Sequence, residues 1–213
     1  MIGVVDYGAG NLRSVQAALG RLGVPVRFVA GPADLGEPLD ALILPGVGRF
    51  GAAVHRLGAS GLMTPLREFA RSGRPFLGIC LGMHLLFERS EEDPGAEGLG
   101  VIPGTVRPLG SARLPHIGWA LVEPPVGAGG PHFERRPFFE GLPRRGFYAY
   151  FAHSYVVPPE ASGAAAFTDC PPRFASVVER GGTCGVQFHP EKSGAGGERL
   201  LANFVAAARG GTR

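Results

Sequence analysis

The chain has 213 residues, 45% of them apolar and 18% charged, the composition of a globular protein with a core of ordinary size. Its net charge is +3, and the tight basic pairs Arg135-Arg136 and Arg144-Arg145 have no aromatic residues interleaved, so they read as solvated surface and nucleic acid is not indicated as a partner. No uncharged apolar run approaches the roughly 18 residues of a membrane span, and three cysteines without a C-x-x-C pair point to a reduced, cytoplasmic protein.

In chain order, Ile2-Gly3-Val4-Val5 has no basic segment before it and is broken by Asp6, which predicts a first strand and not a signal peptide. Gly8-Ala9-Gly10-Asn11 makes a turn, and Leu12, Val15, Leu19 and Leu22 form a helical stripe that ends at Gly23. These glycines imitate a dinucleotide loop, but Arg13 stands where a third glycine belongs and no acidic residue closes the second strand. That function is set aside. Residues 25–29 and 41–44 read as strands, the latter running into Pro45-Gly46-Val47-Gly48. Helices follow at 52–57 and 62–72, then a fourth strand at 75–79. Leu81, His84, Leu85 and Glu88 then recur at helical spacing.

Strands alternating with helices up to residue 90 predict a parallel sheet covered on both faces. Ligands of such sheets sit at the C-terminal ends of the strands, where Pro45–Gly48 and Cys80 fall. From residue 95 the pattern changes to strands at 101–109, 117–122, 147–157, 164–169, 175–179 and 183–188, several linked by short Gly or Pro turns. This predicts a partly antiparallel extension on the same core, so that residues 1–213 make a single domain. Residues 124–137 read as a mobile surface loop, and 198–208 as a closing helix with Leu200, Leu201, Phe204 and Val205 inward.

Two stretches carry chemistry. Gly78-Ile79-Cys80-Leu81-Gly82 is the cysteine version of the nucleophile elbow, a tight strand-to-helix turn whose flanking residues must be small. A thiol there faces the first amides of the helix, which favour the thiolate, and the Leu81 amide is also available to an oxyanion. The second stretch is Gln187-Phe188-His189-Pro190-Glu191. Pro190 pushes His189 into extended geometry, where residues i and i+2 face one side, so His189 and Glu191 project together as a general base and its orienting carboxylate. A metal is the competing use, since Cys80 and His84 stand at i and i+4. His55, His116, His132 and His153 show no partner spacing, however, and no metal or other cofactor is expected.

These pieces resemble the class I glutamine amidotransferases. Pro115-His116-Ile117-Gly118-Trp119 belongs to the resemblance as well, and Asp6-Tyr7-Gly8-Ala9-Gly10-Asn11, Pro45-Gly46-Val47-Gly48 and Tyr150-Phe151-Ala152-His153-Ser154-Tyr155 narrow it to the glutaminase subunits of imidazole glycerol phosphate synthases. It covers nearly the whole chain. The resemblance implies a three-layer α/β fold, with a mostly parallel central sheet, helices on both faces and an antiparallel extension in the C-terminal half. It implies hydrolysis of L-glutamine to glutamate and ammonia, the ammonia passing to a (β/α)8-barrel cyclase in a heterodimer. The implied roles are Cys80 as nucleophile, His189 as proton carrier and Glu191 as its orienter, with the Val47 and Leu81 amides as oxyanion donors. Gly48, His84, Glu92, Ser154 and Tyr155 match substrate-binding positions, and Asn11, Trp119, Tyr150 and Lys192 match the partner interface. Two residues depart from the family pattern: His84 replaces a substrate-contacting Gln, bringing a titrating charge, and Ala120 replaces an Asn that follows Trp119, removing a partner contact.

Overall fold

The computed structural model describes residues 1–36, 38–111, 113–124 and 137–210. The interior of the predicted loop at 124–137, with His132, Arg135 and Arg136, lies outside the described residues. In chain order the elements are β1 (Ile2–Val5), α1 (Leu12–Arg21), β2 (Val26–Val29), β3 (Ala41–Gly46), α2 (Phe50–Ala59), α3 (Met63–Arg71), β4 (Phe76–Cys80), α4 (Leu81–Leu85) and β5 (Phe87–Ser90). Then come β6 (Ile102–Pro108), β7 (His116–Val122), β8 (Phe147–His153), β9 (Tyr155–Val156), β10 (Ala164–Thr168), β11 (Phe174–Arg180), β12 (Thr183–Val186) and α5 (Gly194–Gly210).

Seven strands form the central sheet in the order β10-β11-β12-β4-β3-β1-β2. The run from β12 to β2 is parallel, and β11 and β10 extend it antiparallel, as the change of pattern in the second half predicts. Every residue of β1, β3, β4 and β12 is buried, the condition of parallel strands covered on both faces. Alternation along each strand splits the apolar residues into two cores. Ile2, Val4, Ile43 and Ile79 pack with Leu19 of α1 and Phe204 of α5, whereas Val5, Leu42, Leu44 and Phe76 pack with Leu57 of α2 and Leu66 of α3. The three layers follow directly.

Two predicted elements come out differently. The helix from Leu81 ends at Leu85, and Glu88 lies on β5, paired with β6. The Leu85 and Leu86 carbonyls accept the amides of Leu99, Val101 and Ile102, so a neighbouring segment takes the bonds that further helical turns would need. The strand predicted at 147–157 is two strands. β8 pairs with β7 and β9 with β6, and the chain changes partner at Ser154.

Candidate active site

The parallel register pairs Gly46 of β3 with Cys80 of β4, which sets the Pro45–Gly48 turn beside the predicted nucleophile. Cys80 has φ 54° and ψ −111°, the only positive φ outside glycine among the described residues. Such a conformation costs about 1–3 kcal/mol and persists only where its surroundings enforce it. Its flanks do so. A Cβ at Gly82 would lie 1.8 Å from the Leu44 carbonyl oxygen, and one at Gly78 would lie 2.6 Å from that of Gly82. Only glycine fits either position, and the turn between them lifts Cys80 clear of the sheet.

β12 lies beside β4 with Val186 opposite Ile79, so the chain leaves β12 at the level of Cys80. His189 is fixed by its backbone. Its N–H donates to the Tyr150 carbonyl (2.9 Å), and its carbonyl accepts from the Ser193 hydroxyl (2.6 Å), which in turn accepts the Tyr150 N–H (2.9 Å). The His189 Nδ1–H donates to Glu191 Oε1 at 2.9 Å, leaving Nε2 for the sulfur. His189 is extended (φ −97°, ψ 95°), as its place before Pro190 predicts, but the extended geometry does not continue to Glu191. Pro190–Lys192 is a 3₁₀ turn, and its tight winding returns the Glu191 carboxylate to the ring that precedes it. Burial opposes a charge on His189, but side-chain hydrogen bonds with Cys80 and Glu191, and the negative charges of both, push its pKa up to about 10. At neutral pH it is an imidazolium.

Above Cys80 is a cavity of about 360 Å³, within the range of small-molecule sites. The structure gathers Asn11, Val47, Gly48, Leu81, His84, Glu92, Ser154, Tyr155, His189 and Lys192 around it, although they come from every part of the chain. Gly48 has φ +94°, which suits glycine at the bend of the oxyanion turn. Glu92 is partly committed elsewhere. Its Oε2 accepts the Phe50 N–H at 2.9 Å, and Asp93 accepts that of Gly51, so the acidic pair also caps the first turn of α2.

His84 corrects the expectation of a titrating charge. Burial pushes its pKa down to about 4, against the opposing hydrogen bond to Gln187, so the ring is neutral at physiological pH. Its Nε2–H donates to Gln187 Oε1 at 2.8 Å.

His116 and His153, whose spacing along the chain shows no relation, meet in the fold. They face each other in the β7–β8 register, with His116 Nδ1 3.1 Å from His153 Nε2. The second nitrogen of His153 donates to the Tyr155 carbonyl at 3.0 Å, so His153 accepts from His116. Burial first, then the neighbouring His84, His116 and His189, push the pKa of His153 down to about 3. No spacing rule reveals this pair, because antiparallel pairing of β7 with β8 brings together rings 37 positions apart in the chain. Among the described residues no group of three His, Cys, Asp or Glu side chains is arranged to hold a metal ion.

Beside the cavity, the outward face of the β7–β8 hairpin exposes Trp119 (57%), with its ring centroid 6.2 Å from that of Tyr150. Lys192 Nζ lies 5.6 Å from the Tyr150 ring centre, so three of the predicted interface residues form one cluster. Ala120 points the opposite way, into the core, so the departure at that position removes nothing from the Trp119 face.

The glutamine amidotransferase class-I family matches residues 3–208. The chain belongs to that family. Among its curated relatives are the imidazole glycerol phosphate synthase subunit HisH of Desulfitobacterium hafniense, 43% identical over 96% of this chain and 93% of that one. HisH of Thermococcus kodakarensis is 44% identical over 96% of this chain and 98% of that one. HisH of Deinococcus radiodurans is 44% identical over 94% and 91%. Solved structures share the fold at lower identity. A glutamine amidotransferase crystal structure superposes with a TM-score of 0.75 at 24% identity, covering 98% of both chains. A chain of PurLQS from Thermotoga maritima gives 0.73 at 18%, covering 96% and 97%. No helix among the described residues is long and apolar enough to cross a membrane.

Proposed function

We propose that Cys80, His189 and Glu191 hydrolyse the side-chain amide of L-glutamine, and that residues 1–213 act as one domain, the glutaminase subunit of an imidazole glycerol phosphate synthase in histidine biosynthesis. The observation that carries this reading is the hydrogen-bonded run from an elbow cysteine through His189 to a buried Glu191. The identity to HisH chains over nearly the full length supports the assignment to this synthase.

The Cys80 thiolate attacks the amide carbon, and the oxyanion that develops is held by the Leu81 and Val47 N–H groups. One such donor is worth about 3–4 kcal/mol of barrier. The His189 imidazolium delivers its proton to the leaving nitrogen, ammonia departs, and a thioester remains. Neutral His189 then takes a proton from water, hydroxide adds to the thioester, and glutamate leaves as the thiolate returns. Glu191 keeps one ring nitrogen protonated throughout. Gly48, His84, Glu92, Ser154 and Tyr155 line the cavity where the α-amino acid end of glutamine binds.

Ammonia released beside Cys80 leaves toward the Trp119–Tyr150–Lys192 face, with Asn11 at the rim. A (β/α)8-barrel cyclase docks there in a heterodimer and uses the ammonia, shielded from bulk water, to form imidazole glycerol phosphate and aminoimidazole carboxamide ribonucleotide. The test is to combine the chain with such a cyclase and its nucleotide substrate. Glutamate and cyclised product should appear in equal amounts, with free ammonia low. Glutamate formed without product, at the same rate with or without the cyclase, argues for a hydrolase that acts alone.

A further inference from the structure

Cys80 is 5% exposed, and a thiolate so far from water needs hydrogen-bond donors of its own. His189 supplies one. Gln187, fully buried and two residues earlier, supplies another: its Nε2 lies 3.9 Å from Cys80 Sγ, while its Oε1 accepts from His84 Nε2 at 2.8 Å. On another side of the sulfur stands the Ala152 carbonyl, also at 3.9 Å, which can accept the proton of a neutral thiol and offers nothing to an anion. The two surroundings therefore favour different protonation states.

An amide can present either end. Turned over, Gln187 would aim its oxygen at the sulfur and repel a thiolate. What prevents this is the partner at the other end, because a His84 ring with hydrogen on Nε2 donates to an oxygen opposite and repels an NH₂ group. We propose that Gln187 is a positioning residue for the nucleophile, its carboxamide held by His84 so that the NH₂ group donates to Cys80 Sγ and favours the thiolate. The proposal rests on the reading of Cys80 as nucleophile, and it gives His84 a second role beyond lining the substrate cavity. Other titratable groups that face the sulfur are His189 after β12, Tyr7 after β1, His84 on α4 and His153 on β8, with Glu191 behind His189. All keep their side chains in a variant at position 187, and His84, which loses there the one contact that raises its pKa, stays neutral.

The experiment measures carbamidomethylation of Cys80 by iodoacetamide across pH 5–10 on the full chain, following the Cys80 peptide by mass spectrometry so that Cys170 does not contribute. Gln187→Met keeps the length and loses the donor. Removing one charge-assisted hydrogen bond should raise the midpoint of the alkylation profile and slow alkylation several-fold at pH values below that midpoint, while the rate on the alkaline plateau stays as it was. His84→Leu, which frees the amide to turn over, should move the midpoint the same way by less, and carries the test if Gln187→Met does not fold. A purely structural role slows alkylation equally at every pH and leaves the midpoint in place. An unmoved midpoint in the folded variants overturns the proposal. Glutamine hydrolysis that survives Cys80→Ala overturns the underlying reading instead, so the two failures are distinguishable.

Discussion

Gly46 and Cys80 are in-register partners across β3 and β4, and this pairing joins the oxyanion turn to the nucleophile elbow through adjacent backbone. A Cβ at Gly46 would lie 2.9 Å from Leu81 Cβ and 3.0 Å from the Gly82 nitrogen, so the two turns approach to the limit that glycine permits. Whatever shifts one shifts the other.

The elbow is therefore intolerant of added volume, while the oxyanion bend has room. Gly82→Ala sets a methyl 1.8 Å from a backbone oxygen and should destabilise the fold by more than about 3 kcal/mol, read as a large fall in Tm or loss of soluble protein. Gly48→Ala meets nothing within 4 Å, and its φ of +94° costs about 1 kcal/mol of strain. It should stay folded with a small drop in Tm and lose glutaminase kcat as the Val47 amide shifts. Equal stability losses in the two variants would contradict this account of the turns.

Glu191→Gln keeps the size of the side chain and removes the charge that helps hold His189 protonated. Thermal melts should show it. The folded pKa of His189, about 10, lies above its unfolded value near 6.5, so its contribution is fully present below about pH 6.5 and is lost as pH rises toward 10. In Glu191→Gln the decline of Tm over that window should be shallower. Glutaminase kcat/KM should fall by roughly a hundredfold or more. An unchanged alkaline slope would separate Glu191 from the titration of His189.

Acid should act through the other histidines. His84 and His153 are neutral in the fold, with pKa values pushed down to about 4 and about 3, below the unfolded value of about 6.5. The unfolded chain therefore binds more protons below pH 6.5, and stability falls as pH drops toward 3. His84→Gln, which removes the titrating ring and keeps an N–H for Gln187, should lessen the acid loss of Tm. A melt as steep as that of the unchanged protein between pH 6 and 4 would contradict a buried neutral His84.

Trp119 is more than half exposed and packs edge-on against Tyr150. Trp119→Ala should leave Tm within a degree or two and weaken cyclase binding by about 2 kcal/mol, nearly thirtyfold in Kd by titration calorimetry. A large fall in Tm without a change in Kd would make Trp119 a folding residue.

Short apolar runs such as residues 76–79 and 41–44 betrayed the parallel sheet, because strands covered on both faces tolerate little polarity. The elbow was legible for a steric reason, since Gly78 and Gly82 sit where no other residue fits. Pro190 makes the extended geometry of His189 legible, whereas the 3₁₀ turn that begins at Pro190 and brings Glu191 back to the ring leaves no signal in the sequence. Contacts made by β-pairing at long range left no local trace. His116 meets His153 only because β7 and β8 close in one register, and Gln187 meets Cys80 only because β12 lies next to β4. The short α4 was hidden as well, because apolar spacing continues through Phe87 while the hydrogen bonds go to residues 99–102.

The most direct test compares glutamine with ammonia as nitrogen source for the cyclase complex carrying Cys80→Ala. Synthesis from glutamine should vanish, and synthesis from ammonium salts at alkaline pH should continue at the rate of the unchanged complex. Glutamine-driven synthesis that persists, or loss of both activities in a complex that still assembles, would contradict Cys80 as the nucleophile.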